Sequence, residues 1–346
     1  MTATLTQFVA AAAPGDAVTN QALAWQALFS RAGIDGGIYA QHVHPDLAGS
    51  VRPLHEARDD GSPVLLRYSI WSDAAAWARR ATGPLGMVYH NITPAHLVRP
   101  LNPAVARLCH EARRELPSLR RRATVTIADS EYNAAELREA GWTHVAVIPL
   151  VLDLPTPPDV RGTVPPTMLF VGRVVPSKRV DDLIRVLAYV RRERVPEASL
   201  VVIGAFADDG AYRDDLLRLA RALGVEGGVT FRGRITDEER DRAYANAGAF
   251  VTMSEHEGFC APVLEAMSRG LPVVARATGG VPGTAGRAAL LVPGRDVAVA
   301  GEAVAEVLVN AATRRGLRTN ALRRLDEMRP DALGERILDA VDPLLR

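Results

Sequence analysis

Pro166-Thr167-Met168-Leu169-Phe170-Val171-Gly172-Arg173-Val174-Val175-Pro176-Ser177-Lys178-Arg179-Val180-Asp181-Asp182-Leu183-Ile184-Arg185-Val186-Leu187 opens the second half of the chain. Residues 168–171 form a short apolar run between a proline and a glycine, the mark of a strand. From residue 180 to 192 the apolar positions recur at helical spacing. The stretch is therefore a strand, a glycine-started loop and an amphipathic helix. The unit recurs downstream, with strands at 200–204, 229–232, 249–253, 271–275 and 289–292 and helices at 180–192, 212–223, 237–246, 262–269 and 297–310. Strands that alternate with helices pair in parallel through right-handed crossovers, which predicts a doubly wound α/β sheet.

Upstream the same alternation appears in residues 1–150, with strands at 5–10, 37–41, 64–68, 85–89, 125–128 and 145–148. Between the halves, Pro149, Pro155, Pro157, Pro158, Pro165 and Pro166 crowd into eighteen residues. No helix or central strand survives that density. The predicted organisation is an N-terminal domain over 1–150, a stiff linker over 151–166, a second domain over 167–325 and a C-terminal helix over 326–346. The chain has 346 residues, enough for two domains of about 150 residues each.

Composition narrows the classes. Apolar residues are 48% and charged residues 23%, an ordinary globular balance. Lys plus Arg number 41 against 40 Asp plus Glu, and a net charge of +1 argues against bulk electrostatic binding of nucleic acid. Two cysteines, Cys109 and Cys260, make neither a disulfide framework nor a zinc motif. Nothing reaches the ~18 apolar residues of a membrane span. Residues 8–13 could pass for a leader core, but no basic residue precedes them and Gly15-Asp16 follows, so they read as a first strand. The expected setting is cytoplasmic.

In doubly wound sheets ligands sit beyond the carboxyl ends of the strands. Gly172-Arg173 to Lys178 follows one such end. A guanidinium fork, a mobile ammonium and a helix N-terminus suit a diphosphate, though a solvated turn with two surface cations explains the segment equally well. Ser254-Glu255-His256-Glu257-Gly258-Phe259-Cys260-Ala261-Pro262-Val263-Leu264-Glu265 follows another. Glu257 lies on a loop and Glu265 eight residues later on a helix. Carboxylates accept hydrogen bonds from sugar hydroxyls, and the amides of Gly258, Phe259 and Cys260 can meet ligand oxygens. Cys260 reads as a packing residue. Taken singly, each glutamate is explained as a surface or helix-dipole acid.

Jointly the motifs resemble the retaining GT-B glycosyltransferases of sequence family four, those of the group 1 type. The resemblance covers most of residues 166–310: Phe-Val-Gly-Arg with Lys178, Val-Val-Ile-Gly at 201–204, Val-Thr-Phe-Arg-Gly at 229–233, the Glu-x7-Glu loop and Thr-Gly-Gly-Val-Pro at 278–282. It implies two Rossmann-like domains facing a cleft, with the C-terminal helix crossing back to the first. It further implies that Gly172, Arg173 and Lys178 hold a donor diphosphate and that Glu265 binds the ribose. Glu257 contacts the transferred sugar, Gly258 and Phe259 support it, and Arg232 and Ile235 lie where the base packs. His90, which follows a first-domain strand in Tyr89-His90-Asn91-Ile92-Thr93-Pro94, is by position alone a loop residue. The resemblance gives it a place at the donor sugar and the reaction centre.

Relatives carry a glycine-rich first loop. Here it is Pro14-Gly15-Asp16-Ala17-Val18-Thr19-Asn20, with one glycine where pairs are usual. Gly15 is expected near phosphate. Asp16 is either an acceptor contact or a helix N-cap. Asn20, Asn91, Ser130 and Glu131 complete the expected acceptor side. The run Arg113, Arg114, Arg120, Arg121, Arg122 reads as a solvated helix face with Glu111 and Glu115, with a peripheral membrane contact at its inner face as the alternative.

The expected activity is retaining transfer of a hexose from a UDP- or GDP-sugar to a hydroxyl on a sugar, lipid-linked or small-molecule acceptor, with no metal and no cofactor beyond the nucleotide-sugar co-substrate. His90, Glu257, Arg173 and Lys178 are its candidate catalytic residues. A nucleotide-sugar epimerase of the same fold and a non-enzymic nucleotide-sugar binding protein are the rival readings.

Overall fold

The computed structural model describes residues 3–158, 164–206 and 210–346. The chain divides into two compact units, one of Met1–Asp153 with Met328–Arg346, the other of Leu154–Glu327.

The first unit is built on seven strands: β1 (Thr6–Ala12), β2 (Ile38–Val43), β3 (Arg52–Pro53), β4 (Val64–Tyr68), β5 (Leu85–Tyr89), β6 (Ala123–Ala128) and β7 (Ala146–Val147). They lie in the order β3-β2-β1-β4-β5-β6-β7, all paired in parallel. β4 and β5 are buried at every position, as expected of strands covered on both faces. The order reverses between β1 and β4, the topological switch point where such sheets take ligands. The terminal helix Pro330–Leu345 belongs to this unit, with Ile337, Val341 and Leu344 buried among Leu5, Trp25, Leu65, Val88 and Ile127. Gly86 on β5 makes room for it: a Cβ there would lie 2.6 Å from Leu344 Cδ1.

Among the described residues the second unit has six strands: β8 (Thr167–Val171), β9 (Ser199–Ile203), β10 (Val229–Gly233), β11 (Ala249–Thr252), β12 (Val273–Arg276) and β13 (Ala289–Val292). Their order is β10-β9-β8-β11-β12-β13, again wholly parallel. Its core joins Met168, Phe170, Leu200 and Val202 of the sheet to Leu183, Ile184 and Leu187 of the helix Val180–Glu193 and Val304 of the helix Val297–Val309. Here the switch point falls between β8 and β11, the two strands that carry the Gly172–Lys178 and Ser254–Glu265 segments. Among the described residues no helix is long and apolar enough to cross a membrane.

Candidate active site

The loop after β8 turns at once. Gly172 has φ +156°, and its N–H donates to Ile203 O at 2.9 Å. Its carbonyl lies so close to Gly204 that a Cβ there would fall 1.8 Å away. Two glycines thus let the ends of β8 and β9 touch, which fixes the direction of Arg173, an exposed side chain. A short 3-10 turn, Pro176–Lys178, follows. Arg179 then takes the left-handed conformation, φ 54°, ahead of the helix Val180–Glu193.

The loop after β11 is tied to this turn. Glu255 N donates to Ser177 O at 2.7 Å, and Lys178 Nζ donates to Glu257 Oε1 at 2.7 Å. Lys178 and Glu257 are 24% and 12% exposed, so this ion pair is partly shielded from water. The Thr278–Val281 turn supports the loop from beneath. Gly280 N donates to Glu257 O at 2.8 Å. A Cβ on Gly279 would meet Glu257 O at 2.2 Å, and one on Gly280 would meet Gly258 O at 2.1 Å. Thr-Gly-Gly-Val-Pro is therefore the floor on which Glu257 and Gly258 rest.

The helix Ala261–Ser268 starts from Cys260 in the left-handed region, φ 74°. Phe259 and Cys260 are buried, and Phe259 O accepts from Thr284 Oγ1. Burial, and then the Glu257 carboxylate, push the Cys260 thiol well above its ordinary range, so it packs as a neutral group. Glu265 accepts from Tyr244 Oη at 2.9 Å, and Arg269 lies over the Tyr244 ring, 5.0 Å from its centroid. Glu257 and Glu265 thus have separate partners, one on the β8 loop and one on the helix Asp237–Asn246.

Arg232 is not brought here. Phe231 packs against the unit's core, and alternation along the strand sends Arg232 to the opposite face. There it lies 3.6 Å from Glu239 and lines a pocket of 430 Å³ with Thr167, Leu169, Arg242 and Asn246. Thr167 begins β8 and Asn246 precedes β11, whereas Arg232 itself stands near the carboxyl end of β10. Ile235 is half-buried on the turn beyond β10. A cation the sequence reading missed is Arg276, which ends β12 with its Nε and Nη1 buried and without a hydrogen-bond partner among the described residues.

In the first unit, Asp16 is the N-cap of the helix Ala17–Arg31, accepting from Thr19 N and Thr19 Oγ1, both at 2.8 Å. Gly15 before it has φ +78° with open space around its Cα, and Asn20 is exposed. The expected acceptor residues beyond β5 and β6 also hold the local structure together. Asn91 Nδ2 donates to Asn133 Oδ1 and Glu136 Oε2, both at 2.9 Å. Ser130 caps the helix Glu131–Glu139, and Glu131 pairs with Arg138. The basic run is likewise occupied. Arg113 donates to Glu136 and Ile92 O, Arg114 pairs with Glu111, Arg120 bonds Gly141 O, and Arg122 bonds Ala81 O and Gly83 O. Arg114, Arg120 and Arg121 are exposed, as expected of a solvated face, while Arg113 and Arg122 are partly buried and clamp neighbouring loops. His90 sits at the end of β5 with Nδ1 3.0 Å from Asp129 Oδ2, a residue the sequence reading passed over between a strand and Ser130.

Residues 160–324 match the family model described as Glycosyl transferases group 1. That segment is a group 1 glycosyl transferase domain. Over 154 residues the chain is 36% identical to the GDP-mannose-dependent alpha-(1-6)-phosphatidylinositol monomannoside mannosyltransferase of Mycobacterium tuberculosis, covering 42% of this chain and 39% of that protein. The match spans between a fifth and two fifths of the length of such curated relatives. The whole fold is that of Anabaena Alr3699/HepE, solved with UDP and glucose, at a TM-score of 0.77 and 17% identity over 99% of this chain and 100% of that one. It is also that of a sucrose-phosphate synthase from Thermosynechococcus elongatus, at a TM-score of 0.76 and 19% identity over 99% of each chain. The fold is GT-B. The group 1 domain holds the Lys178–Glu257 pair and both of its loops.

Proposed function

We propose that the protein is a retaining glycosyltransferase that moves a hexose from a UDP- or GDP-sugar to a hydroxyl acceptor. The observation that carries this reading is the joining of the β8 and β11 loops at the switch point of the group 1 domain by Lys178 and Glu257. Arg173 and Lys178 hold the diphosphate and neutralise the charge that grows on it as the sugar departs, the electrostatic contribution that usually dominates. Glu265 takes the ribose hydroxyls, and Glu257 and the Gly258 and Phe259 amides take the sugar. No metal ion takes part, and the leaving phosphate oxygen receives the acceptor proton. The first unit contributes His90 and receives the acceptor, a sugar, a lipid-linked group or a small molecule. The relative whose name states a GDP-mannose donor and the neighbour solved with UDP and glucose support a nucleotide-sugar donor.

The test is a panel of UDP- and GDP-hexoses with and without hydroxyl acceptors, read by release of nucleoside diphosphate and by the anomeric configuration of the product. Acceptor-dependent release with retention is expected. Donor turnover without acceptor points to an epimerase, and binding without turnover to a binding protein.

A further inference from the structure

His90 is held from three sides. Its backbone N–H donates to Tyr68 O at 2.9 Å, which fixes the end of β5 against β4. The next residue, Asn91, adopts φ 72°, a conformation that a non-glycine residue keeps only when its surroundings impose it. They do so here: Asn91 is bonded to Asn133 and Glu136, Tyr89 Oη donates to Glu136 Oε2 at 2.7 Å, and Arg113 clamps Ile92 O. The loop that carries His90 is thus fastened to the helix Glu131–Glu139.

The ring is fixed as well. Nδ1 lies 3.0 Å from Asp129 Oδ2, and the two side chains are 3% and 4% exposed. The other Asp129 oxygen accepts from Asn133 Nδ2. A carboxylate only accepts, so the proton sits on Nδ1 and a neutral ring keeps its lone pair on Nε2. Nε2 is buried and has no hydrogen-bond partner among the described residues. Asp129 also has a buried countercharge. Arg67 on β4 is wholly enclosed, and its donors reach only neutral oxygens, Gln7 Oε1 at 2.9 and 2.6 Å and Gln21 Oε1 at 2.6 Å. Burial, offset in part by the Asp129 charge, lowers its guanidinium to about 9.

We propose that Asp129 is a positioning residue that locks His90 in the Nδ1–H tautomer, so that Nε2 accepts the hydrogen of a substrate hydroxyl. A buried acceptor left without a hydrogen bond destabilises the empty site, and a hydroxyl arriving at Nε2 relieves it. That the hydroxyl belongs to a sugar rests on the glycosyl-transfer reading. The lock itself does not.

The experiment uses the full chain labelled with ¹⁵N-histidine. Long-range ¹H–¹⁵N spectra are recorded at about pH 8, above the ordinary imidazole range near 6.5, beside rates for Asp129→Asn, His90→Ala and the double variant. The expected wild-type ring carries its proton on Nδ1. In Asp129→Asn the carboxamide N–H donates to Nδ1 and the proton moves to Nε2. That variant loses about 10- to 100-fold in kcat/KM, as when the partner that orients a metal-bound histidine is removed, yet changes the rate less than about twofold in the His90→Ala background. A wild-type proton on Nε2 overturns the proposal, and this spectrum needs no variant to fold. An Asp129→Asn loss as large without His90 as with it also overturns the proposal. If the wild type transfers no sugar from any nucleotide donor, the transferase reading fails while the spectrum still decides the lock.

Discussion

Lys178 Nζ lies 2.7 Å from Glu257 Oε1, so the cation assigned to the donor diphosphate is neutralised by the carboxylate assigned to the donor sugar. A diphosphate that enters must compete with Glu257 for this ammonium. Glu257→Gln removes the competitor while keeping the shape. The nucleoside diphosphate alone is expected to bind as tightly or more tightly, and transfer to fall by about 10- to 100-fold as the sugar contact weakens. Calorimetry with UDP and GDP, beside single-turnover rates, separates the two effects.

The Tyr244–Glu265 hydrogen bond, 2.9 Å long, holds the carboxylate assigned to the ribose. Burial, and then the Glu265 charge, keep the tyrosine protonated far above its usual range, so it is a permanent donor. Tyr244→Phe leaves Glu265 with one restraint fewer. The expected result is a donor KM raised about threefold to tenfold with little change in kcat, and a stability loss of about 1 kcal/mol, seen by kinetics and denaturant unfolding.

Gly204 has φ +143° and no space for a Cβ, which would lie 1.8 Å from Gly172 O. Gly204→Ala must push the Gly172-Arg173 turn away from β9. A stability loss of about 1–3 kcal/mol is expected, with weaker diphosphate binding in the molecules that remain folded. Gly283→Ala, whose added Cβ meets nothing within 4 Å, is the control and leaves both unchanged.

Asp182 is buried and contacts Arg295 and Arg179, each at 3.1 Å. Burial alone would raise its carboxyl, but the hydrogen bonds and charges of the two arginines outweigh that and hold it below 3.8. Its folded-state value is depressed, so its contribution is fully present above the unfolded value of about 3.9 and fades as pH falls through the lower folded one. Asp182→Asn is expected to cost about 1–3 kcal/mol at neutral pH and to flatten the loss of stability below about pH 4. Thermal unfolding across an acid series checks both.

Much of this was legible in residues 166–310 because strand ends, glycines and charged residues stand there at short spacing. Gly172 to Lys178 and Glu257 to Glu265 could be placed beyond β8 and β11 from the strand–helix alternation alone. The pairing of Lys178 with Glu257 could not, since 79 residues separate them. Which side of β10 Arg232 faces could not be read from the sequence, because that is set by its neighbour Phe231 packing on the core. The anchoring of Asn91 could not be read either, since its partners Asn133 and Glu136 lie 42 and 45 residues away on a helix whose packing against the His90 loop is a tertiary fact. Asp129 had only its place after a strand to mark it, and its importance emerges once His90 is beside it.

The central claim is that the group 1 domain binds a nucleoside diphosphate through Arg173 and Lys178. Titration of UDP and GDP into the wild type and into the Arg173→Ala, Lys178→Ala double variant tests it most directly. Two hydrogen bonds from cations to phosphate are worth about 1.5–3 kcal/mol each, and about 1.4 kcal/mol is tenfold, so the account predicts a Kd raised at least about 100-fold for the nucleotide that the wild type binds. A double variant that binds that nucleotide as tightly as the wild type contradicts it.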